Sequence, residues 1–191
     1  MANSDVISAV SETLEARLTA GLSALGNPAP TAQLHDLVTA VPSDPPTVTL
    51  FLYQVIEDCS VRNRAKTTRI VNGNVLARKQ PLGLCLHYMM SAWGGDRHSE
   101  QRMLGRVLQV LYDDAVLDGT ELLGVLAGTA ATLHVSLQPL ELEDRARVWW
   151  AIGQTYRLSV NYEVRVVNID PETETESVPV RERDLEIGVV A

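Results

Sequence analysis

The stretch SVNYEVRVVNID, Ser159 to Asp170, constrains the fold more than any other part of the chain. Val160, Tyr162, Val164 and Val166 fall on one side of a pleat, with Asn161, Glu163 and Arg165 on the other. Period-two alternation of β-branched and aromatic residues with polar ones marks a half-buried strand. The run outlasts the usual strand of about five or six residues, so it can act as the spine of a sheet. A chain with such a spine must supply further strands to pair with it and helices or a second layer to cover its apolar face.

Two segments have the composition of covered strands. Thr47–Asp58 carries Val48, Leu50, Leu52 and Ile56 on one face and Phe51, Tyr53 and Val55 on the other. Pro81–Trp93, PLGLCLHYMMSAW, is apolar throughout. Apolar residues on both faces predict strands in the middle of a sheet. Between them, Thr67–Val71 and Asn74–Arg78 flank Asn72-Gly73. That dipeptide favours the positive φ angles of a tight hairpin turn, and the hairpin has little apolar surface to bury. Thr132–Pro139 reads as a further strand.

Helices are predicted where the period lengthens. Ile7, Val10, Leu14, Leu18 and Leu22 share one face, with Asn3 or Ser4 as cap and Gly26-Asn27-Pro28 as stop. Met103, Leu104, Val107, Leu108 and Leu111 form the stripe of a second helix, from Asp96–Ser99 to Tyr112. A shorter helix is expected over Thr120–Ala127, capped by Thr120 and stopped by Gly128. Another is expected over Leu140–Gly153, with Glu141, Glu143 and Asp144 at its dipole-favoured start. Adjacent Trp149 and Trp150 diverge by about 100° around that helix, which places one in the core and one at a surface or interface. Thr31–Pro46 gives no clear pattern beyond the turn PSDPP.

The predicted class is therefore α/β (α+β): a mixed, partly antiparallel sheet packed by helices, with a protruding hairpin and an extended C-terminal arm. Residues 1–170 form the folded domain and residues 171–191 the arm, acidic at first and alternating again at Leu185, Ile187 and Val189.

At 191 residues the chain can bury a core without metal or disulfide staples, and Cys59 and Cys85 have no motif spacing. A net charge of −8 argues against general nucleic-acid binding. No apolar run reaches the length of a membrane span, and the N-terminus lacks the basic start of a signal peptide, so a cytoplasmic location is expected. His35, His87, His98 and His134 show no metal-ligand spacing, and no nucleophile elbow, P-loop or dinucleotide fingerprint occurs. His87 and Cys85 share a strand face, but the sequence offers no orienting acid or oxyanion hole beside them. Paired acids such as Asp113/Asp114 and Glu141/Glu143 read as solvated helix ends. The expectation is a protein without cofactor, metal or catalytic residues.

Contact surfaces are the better candidates. Arg62, Arg64, Lys66, Arg69, Arg78 and Lys79 gather six of the sixteen basic residues around the hairpin. Two readings stand: charges that discourage edge pairing, or a docking surface for an acidic partner. Trp93 and Trp150 are candidate aromatic contacts. Val178, Val180, Leu185, Ile187 and Val189 make the arm either a disordered tail or a strand seeking a sheet edge.

Four segments, in order, resemble one family: DVISAVSETL, LFLYQVIEDCSVRN, PLGLCLHYMMSAWGGDRHSEQRMLGRVLQVLYDD and VWWAIGQTYRLSVNYEVRVVNID. The family is the cap proteins of phage-tail-like contractile injection systems, whose N-terminal domain acts as a tail terminator. The likeness spans about Asp5 to Asp170 and is most specific at PLGLCLHYMM running into Glu100–Gly105, and at Tyr156 with Ser159–Tyr162. It implies a non-enzymatic structural protein. Six copies would form a ring at the distal end of the particle, on the inner tube and against the last sheath layer, in a particle that is released extracellularly. Sheath subunits of such systems exchange strands, which implies that Val178–Val190 pairs with a sheath sheet edge. A small-molecule or peptide-binding domain, or a cargo adaptor of such a particle, is the alternative.

Overall fold

The computed structural model describes residues 4–62, 67–71, 74–171 and 174–177. Its centre is the strand Leu82–Trp93, in which every residue from Gly83 to Ala92 is buried. Continuous apolar character on both faces is what allows a strand to be covered on both sides. In chain order the strands are β1 (Thr31–Leu34), β2 (Thr47–Glu57), β3 (Thr67–Val71), β4 (Asn74–Arg78), β5 (Leu82–Trp93), β6 (Val116–Asp118), β7 (Thr132–Leu137), β8 (Ser159–Ile169) and β9 (Glu174–Ser177). The helices are α1 (Val6–Leu22), α2 (Arg97–Asp113) and α3 (Leu142–Ala151). The main sheet runs β1-β2-β5-β8-β7-β6. Only β1–β2 is parallel, and the other pairings are antiparallel. A separate small sheet runs β3-β4-β9.

The spine role of β8 holds, because it pairs with β5 on one side and β7 on the other. Two details of its predicted pattern change. The register slips between Leu84 and Leu86, so Val164 and Val167 face the core together and strict alternation ends there. The polar face is also covered: Asn161 and Glu163 are buried, and Arg165 is the exposed member. A half-buried strand was the expectation; a strand covered over most of both faces is the finding.

One face of the sheet packs against α1 and α2. Val6, Val10, Leu14, Leu18 and Leu22 of α1 are fully buried, each contributing about 1.5–3 kcal/mol by leaving water. They meet Met103, Leu104, Val107, Val110 and Leu111 of α2 over Leu86, Tyr88, Met90, Tyr162 and Val164. Ser11 Oγ and Tyr88 Oη, 2.8 Å apart, tie α1 to the central strand. The helices approach closely where Gly21 faces Val110, and Arg106 Nε donates to the Gly21 carbonyl at 2.9 Å. The opposite face carries α3, whose Trp149 packs with Leu37 and Met89.

Several predicted boundaries shift. α1 begins after Asp5 rather than after Asn3 or Ser4, without a side-chain cap. α2 starts within the expected Asp96–Ser99 window, where the structure makes Asp96 the cap, the Ser99 amide donating to its Oδ1 at 2.7 Å. The helix expected over Thr120–Ala127 is two 3₁₀ turns, Gly119–Glu121 and Gly124–Leu126. Leu122 and Leu123 are extended and Gly124 takes positive φ, which interrupts any continuous helix, and Gly128 also takes positive φ just beyond. The Leu123 amide donates to Thr13 Oγ1 on α1 at 3.0 Å, a tertiary partner in place of a helical one. β1 and β6 occupy stretches without a readable pattern, and β9 lies in the acidic segment expected to be exposed. The turn Asn72-Gly73 lies outside the described residues.

Candidate interaction surfaces

The basic cluster sits where β2 ends and β5 begins. Arg62 Nε lies 3.7 Å from Glu57 Oε1, and both side chains are substantially exposed. Such a pair is worth at most about 1 kcal/mol. Arg78 is half-buried and its Nη2 donates to the Pro171 carbonyl at 3.1 Å. Lys79 is exposed beside a hollow of about 500 Å³ that it shares with Glu57, Arg62, Leu82, Asp170 and Pro171. β9 then adds to the hairpin, its register setting Glu174 across from Arg78 and Glu176 across from Leu76. Part of the basic cluster therefore has acidic neighbours from its own chain. Arg69 lies in β3 by its backbone. Arg64 and Lys66, and Val178, Val180, Leu185, Ile187 and Val189 of the arm, lie outside the described residues.

The tryptophans separate as adjacent helical residues must. Trp149 is buried, donates from Nε1 to Ser159 Oγ at 3.3 Å, and meets Trp93 at 6.4 Å between ring centroids. Trp93 is half-buried: Nε1 donates to Thr49 Oγ1 at 2.9 Å, and the Arg157 guanidinium stacks 4.1 Å over its ring. Arg157 in turn donates to Glu100 Oε1 at 2.5 Å and to the Ala92 carbonyl at 3.0 Å. Arg157, stacked on Trp93, thus ties the N-terminal end of α2 to the sheet. Trp150 is 83% exposed and is the free aromatic of the three.

The covered polar face of the sheet carries a small network. His87 Nδ1 hydrogen-bonds Gln138 Oε1 at 2.5 Å, and Nε2 lies 3.7 Å from Glu163 Oε2. Arg165 closes on the same Glu163 carboxylate, which raises the arginine pKa. Burial, reinforced by the Asp58 and Glu163 carboxylates, pushes the Cys85 thiol above its ordinary value, the reverse of what a nucleophile needs. The arrangement ties β5, β8 and the β7 end together; it does not pose a reactive group against a cleft.

A surface that the sequence reading missed lies between the end of α2 and β7. Leu108, Leu111, Tyr112, Val135, Leu137 and Tyr162 line an apolar groove of about 550 Å³. Its floor is buried, while Tyr112 is 83% and Leu137 56% exposed at its walls. Tyr112 continues the helical series Leu104, Leu108, Tyr112, so the α2 stripe runs past the core that uses it. That overrun was the available signal.

No curated protein matches the sequence. The model of one family, the Pvc16 N-terminal domain, matches residues 9–183. The chain belongs to that family. In structure the chain resembles the sheath/tube terminator of an extracellular contractile injection system, PVC, solved by cryo-EM in its extended state. The TM-score is 0.63 at 21% identity, over 97% of this chain and 64% of that one. It also resembles the tube-terminating cap of the anti-feeding prophage, with a TM-score of 0.53 at 19% identity, over 96% of this chain and 60% of that one. The chain thus spans less than two thirds of either relative's length. The family expectation from the sequence stands, and the shared fold is a helix-packed mixed sheet.

Proposed function

We propose that this Pvc16-type domain is a structural terminator: a ring of its copies closes the distal end of a contractile injection system, seated on the inner tube and touching the last sheath layer. The observation that carries this reading is family membership over residues 9–183, joined to a fold shared with a sheath/tube terminator and a tube-terminating cap. The role is structural rather than catalytic, and six copies make the ring. Among the described residues no helix is long and apolar enough to cross a membrane. Assembly takes place in the cytoplasm before the particle leaves the cell.

In this proposal residues 1–170 are the ring domain and the C-terminal arm reaches the sheath. β9 pairs with β4, so the partner-seeking segment in this proposal is the part of the arm after Ser177. Its apolar positions Leu185, Ile187 and Val189 alternate with Asp184 and Glu186, the pattern of a strand added to a sheet edge.

Negative-stain microscopy of the purified chain mixed with tube and sheath tests the function, with rings at particle ends as the expected result. A monomer that binds neither component refutes it and favours a small-molecule or peptide-binding domain. Deleting residues 178–191 releases sheath while rings persist on tube; unchanged sheath retention removes the arm's role. Reversing Arg62, Arg64, Lys66 and Arg69 to Glu weakens docking if the hairpin is a contact, and normal particles would make those charges a solvated edge.

A further inference from the structure

The two sides of the main sheet differ in how their buried polar atoms are satisfied. Among the described residues, five buried side-chain atoms have no hydrogen-bond partner: His87 Nε2, Ser91 Oγ, Arg145 Nε, and Asn161 Nδ2 and Oδ1. All belong to the α3 side. His87 and Ser91 flank Met89 on β5, and Asn161 is the register partner of Met89 on β8. Met89 packs with Trp149 of α3. Arg145 lies one turn before Trp149, on the helix face that Val148 and Ile152 also turn to this cluster. The α1 side, by contrast, pairs its buried hydroxyls, Ser11 with Tyr88 and Thr13 with the Ala9 carbonyl.

An unpaired polar atom in the interior forfeits the bond that it makes with water in the unfolded chain. Several grouped on one side of a sheet weigh heavily against the small net stability of a domain. The unpaired set here is mixed. Asn161 offers an acceptor and two donors, Ser91 one hydroxyl that can do either, and Arg145 Nε a donor. His87 Nδ1 faces Gln138 Oε1 at 2.5 Å, so in the neutral ring Nδ1 holds the proton and Nε2 is an acceptor. Glu163 Oε2, 3.7 Å from Nε2, is beyond direct bonding distance and as a carboxylate has no proton to give. A water molecule donating one hydrogen to each joins the two.

We propose that ordered water molecules are bound between α3 and the β5–β8 face, bridging His87 to Glu163 and Ser91 to Asn161, with Arg145 Nε as donor from the helix. Buried waters of this kind make about three hydrogen bonds each to polar groups that the chain leaves unpaired. Ser91 and His87 stand four residues apart on one strand, about 13 Å. One water joins partners about 6 Å apart at most, so at least two are needed. Trp149 is the one fully buried residue of α3, so these bridges are a substantial part of what seats the helix on the sheet. The inference concerns a single chain and stands apart from the terminator reading.

Oxygen-17 magnetic relaxation dispersion on the purified full chain reads waters that stay bound longer than the protein tumbles. The parent is expected to show such waters, and Asn161→Leu to lower the amplitude by at least one of them. In urea unfolding the same variant should lose at least about tenfold in its folding equilibrium constant, because Ser91 and His87 lose their bridging partners. A dry layer predicts the opposite: leucine would remove two unpaired atoms and leave the chain as stable as the parent or more so. Met89→Leu, between the same polar neighbours, should leave the amplitude unchanged. Should Asn161→Leu not fold, Ser91→Ala carries the same comparison with a smaller change in volume. A parent chain without long-lived waters overturns the proposal whatever the variants do. An amplitude that neither Asn161→Leu nor Ser91→Ala lowers overturns it equally, as does an Asn161→Leu chain no less stable than the parent.

Discussion

Replacing Gly21 by alanine tests whether the α1–α2 crossing is as close as the structure makes it. A Cβ at this position would sit 2.4 Å from Val110 Cγ2 and 3.2 Å from Cγ1. Carbon atoms in contact prefer about 3.5–4.0 Å, so the added methyl arrives more than ~1 Å too near. Val110 is buried and β-branched, and its rotamer in a helix is nearly fixed. The side chain cannot swing aside, so the helices must part, at a cost of about 1–3 kcal/mol. Alanine's better helix propensity returns about 1 kcal/mol, so Gly21→Ala alone falls between neutral and about 2 kcal/mol destabilising.

Val110→Ala separates the two effects. Alone it loses two methyl groups and leaves a partial cavity, about 2 kcal/mol. In that background the alanine at position 21 finds space and stabilises by about 1 kcal/mol. Propensity cancels around the double-mutant cycle, leaving a coupling of about 1–3 kcal/mol that is the clash itself. Urea unfolding followed by tryptophan fluorescence reads it, since Trp149 passes from the core to water. A coupling under about 0.5 kcal/mol, with Gly21→Ala stabilising the parent chain, would refute the crossing geometry.

Two other perturbations read the core and its surface separately. Burial pushes the Tyr88 hydroxyl up to about 12, with the Ser11 hydrogen bond working weakly the other way. The raised folded value means that its stabilising contribution is whole below the ordinary value near 10 and is lost as pH climbs towards 12. Tyr88→Phe should cost about 1–2 kcal/mol at pH near 8 through the lost bond. That deficit should shrink by about 1.4 kcal/mol by pH ~11; a constant deficit over this range would mean that the hydroxyl is not buried. Trp149→Ala should destabilise by about 3–5 kcal/mol, whereas Trp150→Ala should stay within about 0.5 kcal/mol of the parent in urea unfolding. Equal losses would contradict the opposite placement of these neighbours.

The parts legible in the sequence were those governed by local chemistry with one solution. The apolar run of β5 suits a covered strand, the α1 stripe a packed face, and Asn72-Gly73 led to the strands expected on either side of it, β3 and β4, which pair Val71 with Asn74. The failures lie where tertiary partners replace local ones. Thr13 on α1 satisfies the Leu123 amide, so a segment with helical composition never needed a helix. β1 is four residues long and exists because β2 offers it a parallel edge. β9 has no apolar alternation at all, and it joins the small sheet through backbone pairing with β4, its register placing Glu174 opposite Arg78.

The same logic explains why the candidate site was harder to read than the fold. A core residue is defined by neighbours that the chain itself supplies, so its signature repeats along the sequence. A contact between copies is defined by what one chain leaves unfilled. Of three tryptophans, the sequence assigned an interface to Trp93 and Trp150 alike; intramolecular packing consumed Trp93 through Thr49, Arg157 and Trp149 and left Trp150 over. On α2 the stripe from Leu104 through Leu108 to Tyr112 is uniform in sequence, yet its last member lies outside the core. The useful signal is therefore a surplus, a periodic apolar face longer than the layer available to cover it. Among the described residues, exposed Trp150 and the groove beside Tyr112 are the surpluses of this kind that the fold leaves open.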